Sequence, residues 1–261
     1  MVKKDYLWLN LRELPYFRAM LRAVEAQFYQ EFELPSPILD VGCGDGHFAK
    51  VTFSRKLDVG LDPWAGSIRQ ASKQAGYRFL VQGDGGRMPF PSEYFASALS
   101  NSVLEHIPHV EHVLAELRRV LQPDKLFLFC VPNPRYLSEL SIPGWLGKVG
   151  LKGLGRAYSK WFKRMSRVEH LAWPDEWQKW LQAAGFKLEK YWHYFSPQAM
   201  RTLEWGHYFG APTLLPHATI RRWIVAPYRW NLFLAERLVR PHTNAQPDPN
   251  GTFTFYVARS V

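Results

Sequence analysis

Ile38-Leu39-Asp40-Val41-Gly42-Cys43-Gly44-Asp45-Gly46-His47-Phe48 is an apolar strand running into a loop with three glycines and out into the start of a helix. Glycines let a backbone adopt positive φ and approach a ligand closely, and the helix that follows offers unpaired N–H groups. The third glycine stands two residues after the second, so the dinucleotide spacing G-x-G-x-x-G is absent. The loop carries no Lys or Arg, which phosphates would require.

Outward from this loop, strand and helix patterns alternate. Leu57–Leu61 reads as a second strand ending at Asp62, Tyr77–Val81 as a third ending at Gly83-Asp84, Ala96–Ser100 as a fourth and Lys125–Val131 as a fifth. Between them, Phe48–Phe53, Ser67–Ala75 and His109–Leu121 have helical spacing. Later, Asp175–Ala184 reads as a helix, and Phe186–Trp192 and Thr252–Arg259 as strands. Tyr6–Phe32 reads as one long helix with Phe17, Met20, Leu21, Val24 and Phe28 on its apolar side. Such alternation predicts a parallel sheet with helices on both faces. Asp40, Asp62 and Asp84 then stand at three successive strand ends, 20 residues separating Gly42 from Asp62. Carboxylates placed there accept from ribose hydroxyls and an adenine amino group, and so suit a nucleoside with an amino-acid tail.

These residues resemble the class I S-adenosylmethionine-dependent methyltransferases, the broad group that includes quinone and small-molecule methyltransferases. Residues 38–48 look like the family's first motif. Gly83-Asp84 with Met88-Pro-Phe-Pro91 looks like its adenine stretch, and Asn101-Ser-Val-Leu-Glu-His106 like its fourth-strand segment. Leu117–Pro123 and Trp180–Phe186 match its later helices, although Gln122-Pro-Asp124 replaces a glycine-containing turn. The resemblance covers roughly Pro37 to Trp192 plus the last strand. It implies an α/β, Rossmann-like three-layer sandwich whose seven-stranded, mostly parallel sheet has the order 3-2-1-4-5-7-6. It also implies S-adenosylmethionine as cofactor: Gly42, Cys43 and Gly44 against the methionine moiety with Asp40 ordering the loop, Asp62 on the ribose, Pro63 and Gly85 flanking the adenine, Asp84 on its amino group, and Asn101 near the sulfonium. The expected organisation is one domain over 1–261: a helical cap at 1–34, a cofactor-binding core at 35–135, and insertions at 141–172 and 196–243.

Charge and aromatic content set the second half apart. Ser141–Arg240 holds 16 of the 33 Lys/Arg and only 6 of the 23 Asp/Glu, so the net +10 of the chain resides in this segment, together with nine of its eleven tryptophans. From Trp145 to Arg167, basic residues from Lys148 to Arg167 recur at three- and four-residue steps opposite Leu151, Leu154, Tyr158, Trp161, Phe162 and Met165. This pattern predicts a basic amphipathic helix that serves as a lid or lies on an anionic surface. His106 and His170 are candidate catalytic bases, weighed against the plainer reading of polar loop residues. Pro108 separates His106 from His109 and His112, so no metal site is expected. The expected acceptor is an amphiphilic or anionic small molecule (a lipid, prenyl-linked compound or lipid-linked sugar), with peripheral membrane contact. A nucleic-acid methyltransferase is the first alternative, and Ser-Val-Leu after Asn101 argues against it. A non-catalytic S-adenosylmethionine-binding or scaffold protein is the second, opposed by the intact cofactor constellation.

The remaining composition excludes other classes. With 47% hydrophobic and 21% charged residues the chain is globular in character. Cys43 and Cys130 form no disulfide framework, and neither a signal segment nor an apolar run of membrane-spanning length is legible, which predicts a cytoplasmic protein.

Overall fold

The computed structural model describes residues 4–261; positions 1–3 of the expected cap lie outside the described residues. Two helices lead, α1 (Tyr6–Leu11) and α2 (Tyr16–Tyr29). The single helix expected over Tyr6–Phe32 is therefore two: Pro15 takes φ −54, ψ 142 and begins α2, because a proline lacks the N–H that a continuous helix would use.

The sheet follows: β1 (Ile38–Val41), α3 (His47–Thr52), β2 (Leu57–Asp62), α4 (Ala65–Gln74), β3 (Tyr77–Gln82), β4 (Phe95–Asn101), α5 (Val110–Val120) and β5 (Leu121–Pro132). After short α6 (Arg135–Ser138) come α7 (Ser141–Lys148), α8 (Lys152–Met165), α9 (Pro174–Ala183), β6 (Phe186–Tyr194), α10 (Pro197–Phe209), α11 (Leu214–Ile220), α12 (Arg229–Val239) and β7 (Phe253–Ser260). The strand order is β3-β2-β1-β4-β5-β7-β6, with β7 antiparallel to both neighbours and the other pairs parallel. This is the expected Rossmann-like sheet. Strand β5 starts earlier than the apolar run at Lys125 suggests. Asp124 occupies the left-handed region at φ +59 where the family turn has glycine, and Ser260 Oγ donates to the Gln122 carbonyl at 2.7 Å, fastening the early residues to β7.

Successive strand residues face opposite layers. Ile38, Leu99, Leu128 and Phe255 pack with α2, whereas Leu39, Val41, Phe127, Phe129 and Tyr256 pack with α5 and α9. Carboxyl ends of β1, β2 and β4 consequently open beside α2, and that edge is the site.

The expected basic helix over Trp145–Arg167 is also divided. Gly150 takes φ +81 between α7 and α8, a conformation that ends a helix and that glycine adopts without strain. Along α8, Gly155 and Phe162 are buried, while Lys152, Arg156, Lys160 and Arg164 are exposed. Buried Glu204 of α10 accepts from the Ser141 amide and hydroxyl at 2.6 Å each, and from the Ile142 amide at 3.2 Å. That carboxylate clasps the start of α7. Of 23 large apolar side chains left exposed, 19 lie between Trp145 and Leu238. Among the described residues no helix is long and apolar enough to cross a membrane.

Candidate active site

The glycine loop is shaped by β1 and β2 together. Gly42 and Cys43 both donate to the Leu61 carbonyl, at 2.8 and 3.0 Å. At Gly42, φ is +79 and an added Cβ would fall 2.4 Å from Val103 Cγ1, so only glycine fits. Gly44 differs: at φ +56 an added Cβ would meet nothing within 4 Å and would project into open space. One glycine is packed and the other forms a cradle.

Asp62 connects this loop to the end of β2. Its Oδ2 accepts from Gly44 N at 3.0 Å and its Oδ1 from Trp64 N at 2.9 Å. Each oxygen retains a lone pair, which suits the two hydroxyls of a ribose. Asp40 is buried and accepts from the Tyr77 hydroxyl at 2.6 Å. Burial pushes its carboxyl up to about 7, with Asp62 adding to the rise and Tyr77 opposing it. Asp84 folds back on Gly86 N at 2.8 Å through Oδ1, and no protein donor among the described residues reaches Oδ2. Burial raises the Cys43 thiol, which removes it as a nucleophile.

All of Asp40, Gly42, Cys43, Gly44, Asp62, Pro63, Asp84, Gly85, Asn101 and His106 line one cleft of about 1130 Å³. Three carboxylates, an open glycine and no lysine on the loop fit the nucleoside and methionine halves of S-adenosylmethionine and not a diphosphate. The same cleft is also walled by Phe17, Arg18, Met165, Arg167, Leu214 and Trp223, its chamber side.

The end of β4 rests on a buried ionic network that the sequence reading missed. Glu25 of α2 is fully buried and accepts from Arg22 at 2.5 Å, Asn101 Nδ2 at 2.8 Å, Ser102 Oγ at 3.0 Å and the Tyr194 hydroxyl at 3.1 Å. Cys130 donates to Asn101 Oδ1 at 3.1 Å. The side chain of Asn101 is thus spent on fixing the strand end. The signal was present: Glu25 interrupts the apolar stripe of α2, and an acid in such a stripe is either paired or costly.

His106 sits on a 3-10 turn, Leu104–His106, and lines the cleft. Its Nδ1 lies 2.8 Å from the Arg167 carbonyl. Nδ1 must therefore carry the proton, leaving Nε2 with a lone pair. Burial lowers its pKa, with Arg22 and Arg167 assisting. Neighbouring Glu105 is buried and raised to about 8 by burial, and its Oε2 has no partner among the described residues. His170 is placed elsewhere. It is not among the lining residues, and its Nε2 lies 2.8 Å from the Ile107 carbonyl with Trp180 against the ring. Unforeseen in its place are His207, tilted against Phe17 with ring centroids 4.4 Å apart, and His217, stacked on Trp223 at 3.8 Å, both lining the cleft.

A family model described as a methyltransferase domain matches residues 39–129, which include the glycine loop, Asp62, Asp84 and the end of β4. Residues 39–129 are a class I S-adenosylmethionine-dependent methyltransferase domain. S-adenosylmethionine is accordingly its cofactor. The chain is 36% identical to a fatty-acid O-methyltransferase of Mycolicibacterium smegmatis over 114 residues, 41% of this chain and 40% of that one. It is 32% identical to a malonyl-[acyl-carrier protein] O-methyltransferase of Legionella pneumophila over 112 residues, 41% and 39% respectively. It thus spans about two fifths of the length of these curated relatives. Among solved structures, geranyl diphosphate C-methyltransferase from Streptomyces coelicolor A3(2), in complex with S-adenosyl-L-homocysteine, shares the fold. The TM-score is 0.56 at 13% identity, over 93% of this chain and 77% of that one. The family match ends before α7, so Met165, Arg167, Leu214 and Trp223 lie outside the matched region.

Proposed function

We propose that this chain transfers a methyl group from S-adenosylmethionine to a lipid-like, amphiphilic or anionic small molecule, in the cytoplasm and in peripheral contact with a membrane. The observation that carries this reading is the mixed apolar and basic lining of the cleft on its chamber side. Its walls combine Phe17, Met165, Leu214 and Trp223 with the guanidinium groups of Arg18 and Arg167. Apolar walls take a hydrocarbon chain, and arginines take an acidic head. Two relatives are a fatty-acid O-methyltransferase and a malonyl-[acyl-carrier protein] O-methyltransferase, which agrees with that chemistry.

Bound S-adenosylmethionine supplies a methyl group already activated for displacement, so the protein's task is placement. Asp62 and Asp84 orient the nucleoside, the Gly44 cradle receives the methionine portion, and Glu25 holds the β4 end rigid through Asn101 and Ser102. His106 Nε2, unprotonated at neutral pH, accepts the proton of a hydroxyl acceptor, whereas a carboxylate acceptor arrives ionised and needs only orientation.

The test pairs calorimetric titration of S-adenosylhomocysteine with incubation in methyl-labelled S-adenosylmethionine. Acceptors offered are long-chain fatty acids, prenyl phosphates, a total lipid extract and, separately, transfer RNA. Label in the solvent-extractable fraction is expected. Label confined to RNA, or cofactor binding without any labelled product, would overturn the proposal.

A further inference from the structure

Helix α12 is apolar on two sides. Leu232 and Val239 are buried against the α1–α2 layer. Trp230, Phe233, Leu234 and Leu238 stand at i, i+3, i+4 and i+8, a single stripe, and each is more than half exposed. Helix α11 and the turn after it are likewise divided. Leu214, His217 and Trp223 line the chamber, while Leu215, Ile220 and Val225 stand more than half exposed. Both segments rest on α2: Trp223 lies over Arg18 at 5.9 Å, and Arg229 stacks on Trp8 of α1 at 4.7 Å.

The charges around this plate are one-sided. Between Glu204 and Asp248 the sequence has five arginines and one acid, Glu236. Glu236 is paired with Arg229 at 3.6 Å and with Arg240. Arg221, Arg222 and Arg237 are exposed and have no carboxylate partner among the described residues. Monomeric soluble proteins rarely leave so many large apolar side chains of one short segment in water. Tyr and Trp flanked by unpaired arginines form the composition that settles at the headgroup level of an anionic bilayer. A protein partner would more often meet the plate with matching acids and bases.

We infer that the segment 214–239 is an interfacial anchor: the outward faces of α11 and α12 dip into an anionic membrane surface, placing the chamber roofed by Leu214 and Trp223 against the lipid from which the acceptor comes. This rests on the lipid-like acceptor proposed above. It moves the membrane seat from the basic face of α8 to the apolar stripe, with the arginines and α8 lysines supplying long-range attraction worth at most about 1 kcal/mol per charge.

The experiment is vesicle co-sedimentation of the full chain without cofactor or acceptor. Phosphatidylcholine vesicles are compared with vesicles containing about a third phosphatidylglycerol. Wild type should prefer the anionic vesicles. The Trp230→Glu/Leu234→Glu variant should partition roughly a hundredfold more weakly, two large apolar groups having been removed from the lipid. A Lys152→Glu/Arg156→Glu/Lys160→Glu variant should lose only the anionic preference. Unchanged S-adenosylhomocysteine affinity and unfolding midpoint show that each variant is folded. Equal partitioning of wild type and Trp230→Glu/Leu234→Glu, or no binding by wild type, overturns the inference. Self-association without lipid, abolished by the same two substitutions, would assign the plate to a second copy and overturn it too. A chain that methylates fatty acids in solution yet ignores vesicles would remove the anchor and keep the proposed function. Vesicle binding without methyl transfer would do the reverse.

Discussion

The cofactor half, Pro37–Pro132, and the insertion half, Ser141–Arg240, solve recognition in opposite ways. In the first, a few short elements fix each contact: Gly42 cannot be anything but glycine, Asp62 is tied to two amides, and Asp40 to one hydroxyl. In the second, no single contact dominates, and a broad surface of aromatic, aliphatic and arginine side chains stays in solvent. An invariant ligand with many polar atoms is held by placed donors and acceptors, whereas the lipid-like acceptor proposed above would be held by area. The family match covers the first half and stops before the second, because only the first is constrained by a ligand common to the class.

The largest effect should come from the network that joins the halves. Glu25→Ala leaves Arg22 buried without its partner and frees Asn101, Ser102 and Tyr194, so stability should fall by about 3–5 kcal/mol. A denaturant midpoint corresponding to less than about 1 kcal/mol would show that the end of β4 holds itself. Next, His106→Ala should lower kcat by about a hundredfold with a hydroxyl acceptor while S-adenosylhomocysteine affinity stays within about twofold. An unchanged rate at saturating acceptor would reduce His106 to a tether for Arg167.

Asp62→Ala sharpens the contrast more directly. Cofactor affinity should drop by about 10- to 100-fold, equivalent to about 1–3 kcal/mol, and vesicle binding should not move. If the cofactor dissociation constant held steady, the ribose assignment would be lost.

The last effect is a pH dependence confined to the cofactor half. Asp40 and Glu105 stay protonated in the folded chain to about 7 and about 8, whereas unfolded carboxyls ionise near pH 4. The folded chain therefore binds more protons across that interval and loses stability as pH rises through it, by at least about 1 kcal/mol. Chemical denaturation at a series of pH values should show the decline levelling above about pH 8. Asp40→Asn and Glu105→Gln should each flatten it. A wild-type profile that is already flat would mean that water reaches both groups.

The alternation of strands and helices and the cleft's three acids were legible because they depend on local periodicity and on short spacing around glycines, and the strand order followed from the family resemblance. What stayed hidden required distance in sequence. Glu25 and Asn101 are 76 positions apart and meet only because α2 covers the end of β4. His170 resembled a site residue by composition, yet the turn at Ile107 claims its ring nitrogen. Helix breaks at Pro15 and Gly150 were marked by residue type, but the apolar periodicity continues across both and conceals them. The outward stripe of α12 was invisible for a different reason. Apolar residues at helical spacing do not say which face will be covered, and only packing reveals the one left over.

The clasp of Glu204 on Ser141 and Ile142 carries a consequence for how this molecule can vary. Its two insertions are separated by α9 and β6, yet a buried carboxylate of the later one supplies the first hydrogen bonds of the earlier one, Ser141 and Glu204 lying 63 positions apart. Neither can be exchanged for a relative's segment alone without stranding an acid in the interior or uncapping a helix. Changes at Ser141 and Glu204 should therefore be strongly non-additive in a double-mutant cycle. Descent would then transmit the two insertions as one heritable module, so that acceptor preference shifts by replacing the pair together.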